Sequence, residues 1–254
     1  AARVRRLSLK PHQKVTLLMG YVVPAFAHRL TIDPPSTNDL LRVDMQLRGA
    51  VKKILHLHPT TTDGVLYTRK RDGGLGFPHL VQQVKICALR AGLQLVESED
   101  SLLQELSREA GWADRMGEMA RQLGLPYPTT KSAINLRKRQ LKEEARQAWE
   151  AQVSQGVGVA DFKDSPAANY WLLNQVALKP GQLIDALKMR TNTFGTRVAI
   201  NRATKTGVTE CRRCHLKPET LGHVIGECTA GKRARIERHN WVVARVAERL
   251  QERG

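Results

Sequence analysis

The chain has 254 residues, with 41 Lys and Arg against 24 Asp and Glu, a formal charge of +17, and 41% hydrophobic residues. A hydrophobic share of that size can build a core, which excludes a disordered tail, and the 5% aromatic share argues against a β-sandwich of packed rings. At roughly 100 to 200 residues per domain the length allows one large unit or two to three small ones. The excess of Lys and Arg points to a polyanionic partner, either nucleic acid or an acidic membrane surface.

The longest apolar stretch, residues 15–27, is interrupted by Gly20, Tyr21 and Pro24 and falls short of the roughly 20 residues that a bilayer-crossing helix needs. Arg3, Arg5 and Arg6 precede it and Ala25-Phe26-Ala27 looks like a cleavage site, the pattern of a secretory signal peptide. The first residue is Ala1 rather than Met, and Pro11, His12 and Lys14 fit a helix start better. Pro11 therefore opens a helix that runs toward Val22, where Pro24 ends or bends it. Asp33-Pro34-Pro35 is a break, after which Ser36, Thr37 and Asn38 offer N-caps to a helix over about 39–57, stopped by His58-Pro59.

At about 100° per residue that helix divides cleanly. Leu40, Val43, Leu47, Ala50, Val51, Ile54, Leu55 and Leu57 fall on one side, and Arg42, Gln46, Gly49, Lys53 and His56 on the other. Asp44 lies inside the apolar arc, one turn before Arg48, so the two are expected to meet each other or the neighbouring backbone. The basic face fits a nucleic-acid groove, or it is an ordinary solvated face.

Val65-Leu66-Tyr67-Thr68 and Asp72-Gly73-Gly74-Leu75-Gly76-Phe77-Pro78 predict at most a short β-hairpin near 65–77, or an irregular loop. No Gly-Lys-Ser/Thr follows, so it is not a phosphate-cradling P-loop. A helix over about 79–96 carries Cys87, read as an inert core thiol. Residues 97–118 are locally acidic and face solvent or protein. Pro126-Tyr127-Pro128 signals a linker, and residues 130–153 read as a basic amphipathic helix with Arg137, Lys138, Arg139, Lys142 and Arg146. A membrane-surface role is diluted by Glu143, Glu144 and Glu150, with Trp149 the sole anchor. Gly156 and Gly158 loosen the chain, and Tyr170-Trp171-Leu172-Leu173 begins another helix.

Three of the four cysteines cluster as Cys211-x2-Cys214-x8-His223-x4-Cys228. Three thiolates and one imidazole close a tetrahedral Zn²⁺ site with no open position, so the metal is expected to be structural. His215 is a competing ligand, but coordination beside Cys214 would be strained. Arg190, Arg197 and Arg202 approach this cluster from one side, Arg212 and Arg213 lie within it, and Lys232, Arg233, Arg235 and Arg238 follow it. His239 and Asn240 share a side with Ile236, Val243, Val246, Ala247 and Leu250. That side is expected to cover the metal lobe, giving the pair a packing or capping role ahead of base contact.

The order of motifs resembles a known family. Leu9-Lys10-Pro11-His12-Gln13-Lys14, Tyr21 to Pro24 with His28, Val43-Asp44 with Arg48, and Gly73-Gly74-Leu75-Gly76-Phe77-Pro78 resemble the thumb of non-LTR retrotransposon reverse transcriptases. Met189-Arg190-Thr191-Asn192 with Thr196-Arg197, the cluster around Glu219-Thr220-x-x-His223, and Arg235-Ile236-x-Arg238-His239-Asn240-x-Val242 look like the linker and zinc knuckle of elements that insert into ribosomal DNA. The resemblance covers nearly the whole chain and is strongest in the last third.

It implies a mainly α chain with a thumb-like bundle over 1–96, a helical linker over 97–204 that turns basic from about 130, and a CCHC knuckle with the first endonuclease helix over 205–254. In that family a restriction-like endonuclease nicks target DNA, and an RNA-directed DNA polymerase primes from the exposed end. Both centres need carboxylates that hold divalent metal such as Mg²⁺. This sequence has no adjacent Asp-Asp, and it reaches Gly254 before any endonuclease run. It is therefore expected to be a fragment without catalytic residues, nuclear during insertion and not secreted. Its expected partners are RNA template, RNA–DNA hybrid and target DNA, with no membrane and no small-molecule substrate site. The alternative is a stand-alone zinc-dependent nucleic-acid-binding protein. The expected nucleic-acid contacts are Arg42, Gly49, Lys53, Arg137, Lys138, Arg139, Arg190, Arg197, Arg202, Arg212, Arg213, Lys232, Arg233, Arg235 and Arg238.

Overall fold

The computed structural model describes residues 2–32, 35–174 and 177–252, and the chain divides into two compact units at Leu187/Lys188. Asp33 and Pro34 of the expected break lie outside the described residues. Among the described residues the protein is mainly α, with one isolated β-bridge between Glu210 and Pro218. The first ten helices are α1 (Ala2–Arg6), α2 (Pro11–Leu17), α3 (Val23–Ile32), α4 (Thr37–Ile54), α5 (Gly64–Tyr67), α6 (Leu80–Val96), α7 (Ser101–Glu109), α8 (Trp112–Gln122), α9 (Lys131–Glu150) and α10 (Pro166–Leu173). They are followed by α11 (Pro180–Arg190), α12 (Arg197–Thr204) and α13 (Lys232–Gln251).

Pro11 opens α2, but Pro24 does not end the helical path. A wider π turn over Leu18–Val22, closed by the Val23 N–H on the Leu18 carbonyl, places Pro24 in the first turn of α3, where a missing N–H costs little. Ser36 caps α4 by accepting the Asp39 N–H at 3.2 Å. The helix stops at Ile54, ahead of His58-Pro59, because His56 adopts a left-handed φ of 50°. The His56 and Leu57 N–H groups then reach the Lys53 and Lys52 carbonyls at 3.3 and 2.8 Å, and buried Leu57 seals the end. Leu40, Leu47, Val51 and Ile54 are buried while Arg42, Gln46 and Lys53 face solvent, as the periodicity requires.

Asp44 is fully buried and does meet Arg48, whose Nε lies 3.0 Å from Oδ2. Two further donors converge on it: the Tyr67 hydroxyl at 2.5 Å and the Leu80 N–H at 2.8 Å. One carboxylate thus joins α4 to α5 and to the first residue of α6. Burial, and then the neighbouring Asp44, hold the Tyr67 phenol far above its ordinary value, so it stays a donor.

Of the two forms expected near 65–77, no hairpin is seen among the described residues. Residues 64–67 close a helical turn and Lys70–Asp72 a 3-10 turn. The Leu75 and Phe77 N–H groups serve the Val65 and Leu66 carbonyls, both at 2.7 Å, so the glycine loop caps a helix end instead of extending a strand. Packing selects the helix: Gly64 lies so close to α9 that a Cβ there would sit 2.3 Å from Trp149 Cβ.

Helix α6 serves two cores. Leu80, Val81 and Val84 join one with α4, α5 and Trp149, while Ile86, Leu89 and Leu93 join another with Trp112, Met116 and Met119 of α8 and Ile134 and Leu141 of α9. The first core also takes Val159, Leu172, Leu183 and Leu187. Position 96 is therefore not a boundary of packing. Pro126-Tyr127-Pro128 is a turn inside the first unit, with a cis bond before Pro128. Cys87 is half-buried and packs against the first core. Tyr170 to Leu173 end α10 instead of beginning it, since Ser165 caps that helix and Pro166 occupies its first turn.

Helix α9 differs from a plain basic surface helix. Arg146 is buried between Glu143 and Glu150, and the Lys142 ammonium donates to the Tyr67 and Phe77 carbonyls at 3.0 and 2.8 Å. Burial, followed by the nearby Lys138, pulls Lys142 down to about 8. Trp149 is wholly buried and cannot anchor a membrane. No described helix is long and apolar enough to cross a bilayer.

Because buried Asp44 is held by two hydrogen bonds and one ion pair, Asp44→Ala should destabilise the first unit by about 4 kcal/mol. Urea unfolding followed by circular dichroism measures this, and a loss below about 1 kcal/mol would show that the donors relax to other partners.

Candidate metal and nucleic-acid site

The second unit has little apolar core. Among its described residues the buried hydrophobic positions are Cys211 and Cys228, beside the buried polar groups Arg190, Thr191, Thr196, Glu219 and His223. A tight turn brings Cys211 and Cys214 together. The Cys211 N–H bonds the Lys217 carbonyl at 2.9 Å, and the His215 N–H returns to the Cys211 carbonyl at 3.0 Å. His215 closes the turn with a positive φ of 55° and points outside the cluster. Thr220 Oγ1 accepts the His223 N–H at 3.0 Å to start the turn His223–Glu227, and the Cys228 N–H returns to the His223 carbonyl at 2.7 Å.

These two turns converge the ligand atoms of Cys211, Cys214, His223 and Cys228 to within 4.8 Å of one another, a set that could hold a metal ion. Cys211 and Cys228 Sγ are 3.8 Å apart, and Cys214 Sγ lies 3.2 Å from His223 Nε2. The Cys214 and Arg213 backbone N–H groups draw the Cys211 thiol down to about 6, favouring the thiolate that a metal requires. Burial pushes Cys228 up.

Glu219, buried beside this cluster, is the residue that spacing alone did not mark as structural. It accepts the Arg197 N–H at 3.1 Å and the Arg212 N–H at 2.8 Å, and it pairs with the Arg212 guanidinium. The Arg212 side chain, ahead of the backbone donors, holds its carboxyl at about 2. The start of α12 and the cysteine turn are thereby tied to one carboxylate.

The expected nucleic-acid contacts separate into two groups. Arg137 donates to the Leu123 carbonyl and pairs with Glu144, Arg197 Nη1 donates to the Glu210 carbonyl, Arg212 is held by Glu219, and Arg235 donates to the Cys228 carbonyl. Arg190 is buried, which lowers its guanidinium to about 10. These cations organise the fold. Arg42, Lys53, Lys138, Arg139, Arg202, Arg213, Lys232, Arg233 and Arg238 are exposed, with Arg233 paired to Glu237 along α13. Gly49 faces a cleft of about 300 Å³ lined also by Arg48, Lys52 and Lys53, where Asp63 holds Arg48 and Lys52 in place. Asp63 had no signal in the sequence pattern.

The apolar side of α13 does not cover the metal lobe. Ile236, Trp241, Val243, Val246 and Leu250 are all exposed, as are His239 and Asn240, so the packing role expected for that pair is not realised within the described residues.

No family model matches the chain. Over its full length it is similar in sequence to Pol polyproteins of R2 retrotransposable elements. It is 27% identical over 260 residues, covering 100% of the chain, to the retrovirus-related Pol polyprotein from a type-1 R2 element of Popillia japonica. It is 27% identical over 255 residues to that of Nasonia vitripennis and 23% identical over 263 residues to that of the type-2 element R2DM of Drosophila melanogaster, covering 99% of the chain in each case. The chain spans 54% of the first of these relatives and 23% of each of the other two.

Glu219 remains ionised down to about pH 2, so its contribution is complete above the ordinary carboxyl value and lost only as pH falls from there toward 2. At neutral pH, Glu219→Ala should lower the local opening free energy of the second unit by about 2 kcal/mol. Hydrogen exchange at the Arg197 and Arg212 amides reads the change directly; unaltered protection there would remove Glu219 from its structural role.

Proposed function

We propose that this chain is the nucleic-acid-handling segment of a retrotransposon Pol polyprotein, its first unit gripping a primer–template hybrid as a reverse-transcriptase thumb does and its second holding target DNA around a zinc knuckle. The observation that carries the reading is the outer face of α4. Arg42 and Lys53 are exposed on it, and at Gly49 between them a Cβ would meet no atom within 4 Å. A glycine inside a helix costs about 1 kcal/mol against alanine, and no described neighbour requires one here. A sugar edge of a duplex lying against the backbone does require it, with the two cations at phosphates on either side.

Zinc fits the Cys3His set. Two thiolates bound at about 2.3 Å to one tetrahedral ion lie roughly 3.8 Å apart, the separation of Cys211 and Cys228 Sγ. The ion would be held by Cys211, Cys214, His223 and Cys228, and it would supply a cross-link. Binding worth about 10 kcal/mol would replace the apolar core that this unit lacks. Arg202, Arg213, Lys232 and Arg238 would then contact DNA phosphates, in a nuclear phase of target-primed insertion. In this reading the polymerase centre, with its paired aspartates, belongs to another part of the polyprotein, since no adjacent Asp-Asp occurs in these residues. Homology to polyproteins over the whole chain favours this reading above a stand-alone zinc-binding protein.

Two measurements test it. Zinc content should be near one per chain and fall away in Cys214→Ala; a folded second unit without metal would overturn the knuckle. Replacing Arg42 and Lys53 with Ala should flatten the log–log salt dependence of hybrid binding by roughly two units. Gly49→Ala should weaken binding while stabilising the fold by about 1 kcal/mol, and unchanged binding in both variants would mean the face is merely solvated.

A further inference from the structure

A second cationic feature is built on α9. Lys138 and Lys142 of α9 border a cleft of about 170 Å³ whose other polar walls are Gln82, Gln83 and His79, with no carboxylate in its lining. Lys142 is positioned by its two carbonyl acceptors, Tyr67 and Phe77. An ammonium has three N–H donors, so one remains for the cleft. Lys138 lies one turn earlier on the same face, exposed, and neither lysine forms an ion pair with a carboxylate among the described residues.

Like charges four residues apart oppose each other along a helix. Here the effect reaches Lys142 itself, whose ammonium is lowered by burial first and by Lys138 next. An anion between them would relieve both. Gln83 donates to Cys87 Sγ at 3.4 Å, whereas the Gln82 amide has no partner among the described residues and remains able to donate.

We propose that this cleft binds a phosphate group through Lys138, Lys142 and Gln82, and that its source is a phosphodiester of the nucleic acid. The choice of source rests on the function proposed above; the phosphate chemistry does not. Lys142 acts as a fixed charge and Lys138 as a mobile one, so the subsite adds register to a grip that α4 alone would leave free to slide.

The experiment uses the full chain, an RNA–DNA hybrid and, separately, inorganic phosphate. Lys138→Ala should lower the salt slope of hybrid binding by about one unit. Gln82→Glu should weaken hybrid binding about tenfold at low salt. It should leave the melting temperature equal or higher, because a carboxylate in the first turn of α6 suits the helix. Inorganic phosphate at twice its Kd should slow acetylation of Lys138 about threefold, with Lys131, paired to Glu97 on the same helix, unaffected.

If the parent binds hybrid but neither variant changes the slope or the affinity, the subsite is overturned as a nucleic-acid contact. If phosphate also fails to protect Lys138, it is overturned outright. Protection by phosphate in a parent that binds no nucleic acid would sink the function proposed above and leave the phosphate site standing.

Discussion

A carboxylate with no exposure has to be answered by partners, and Asp44 has two hydrogen-bond donors and one ion pair. An isolated buried charge would cost many kcal/mol, so the Arg48 guanidinium, the Tyr67 hydroxyl and the Leu80 N–H are held where Asp44 needs them. This fixes α5 and the start of α6 against α4. Once α5 is placed, its free carbonyls need partners, and the glycine loop supplies them from Leu75 and Phe77. Once α6 is placed, both cores of the first unit assemble on its two faces. The outer face of α4 inherits this order, since Arg48 is shared between Asp44 inside and Asp63 at the rim.

The second unit solves the same problem with less material. It buries almost nothing apolar, so its order rests on a second carboxylate, Glu219, and on four metal-ligating side chains. The two devices act on different segments. Glu219 ties the start of α12 to the cysteine turn through Arg197 and Arg212. The ligand set ties that turn to the loop carrying His223 and Cys228. Neither substitutes for the other, because no ligand lies on α12 and the Glu219 carboxylate bonds Arg197 and Arg212, not the metal-ligating side chains.

Local rules made much of this legible. Periodicity and capping marked α4, α6 and α9, and the burial of Leu40, Leu47, Val51 and Ile54 follows the wheel. The spacing of Cys211, Cys214, His223 and Cys228 identified a set that folding does bring together. What stayed hidden depends on partners far away in sequence. Lys142 reads as one more surface cation until Tyr67 and Phe77, 75 and 65 residues earlier, present their carbonyls to it. Glu219 reads as a turn residue until Arg197, 22 residues earlier, donates to it. Val65, Leu66 and Tyr67 have strand propensity, yet the close approach of Gly64 to Trp149 favours a helical turn. Pro24 was a stop by local rules, and a π turn absorbed it.

The formal charge of +17 is therefore a poor guide to the field that a polyanion meets. Several of the cations behind it are not free at the surface: Arg146 and Arg212 are paired with carboxylates and Arg190 is buried. At physiological ionic strength charges are screened over about 8 Å, so exposed cations farther apart than that do not sum to one long-range field. Under that limit, orientation on a nucleic acid has to come from cations fixed in place and not from their number. Fixation is what the internal bonds provide: Asp63 restrains Arg48 and Lys52 beside Gly49, two carbonyls restrain Lys142, and the Cys228 carbonyl restrains Arg235. Ion pairs and carbonyl contacts of the kind that withdraw some cations from solvent are also what give the others a direction.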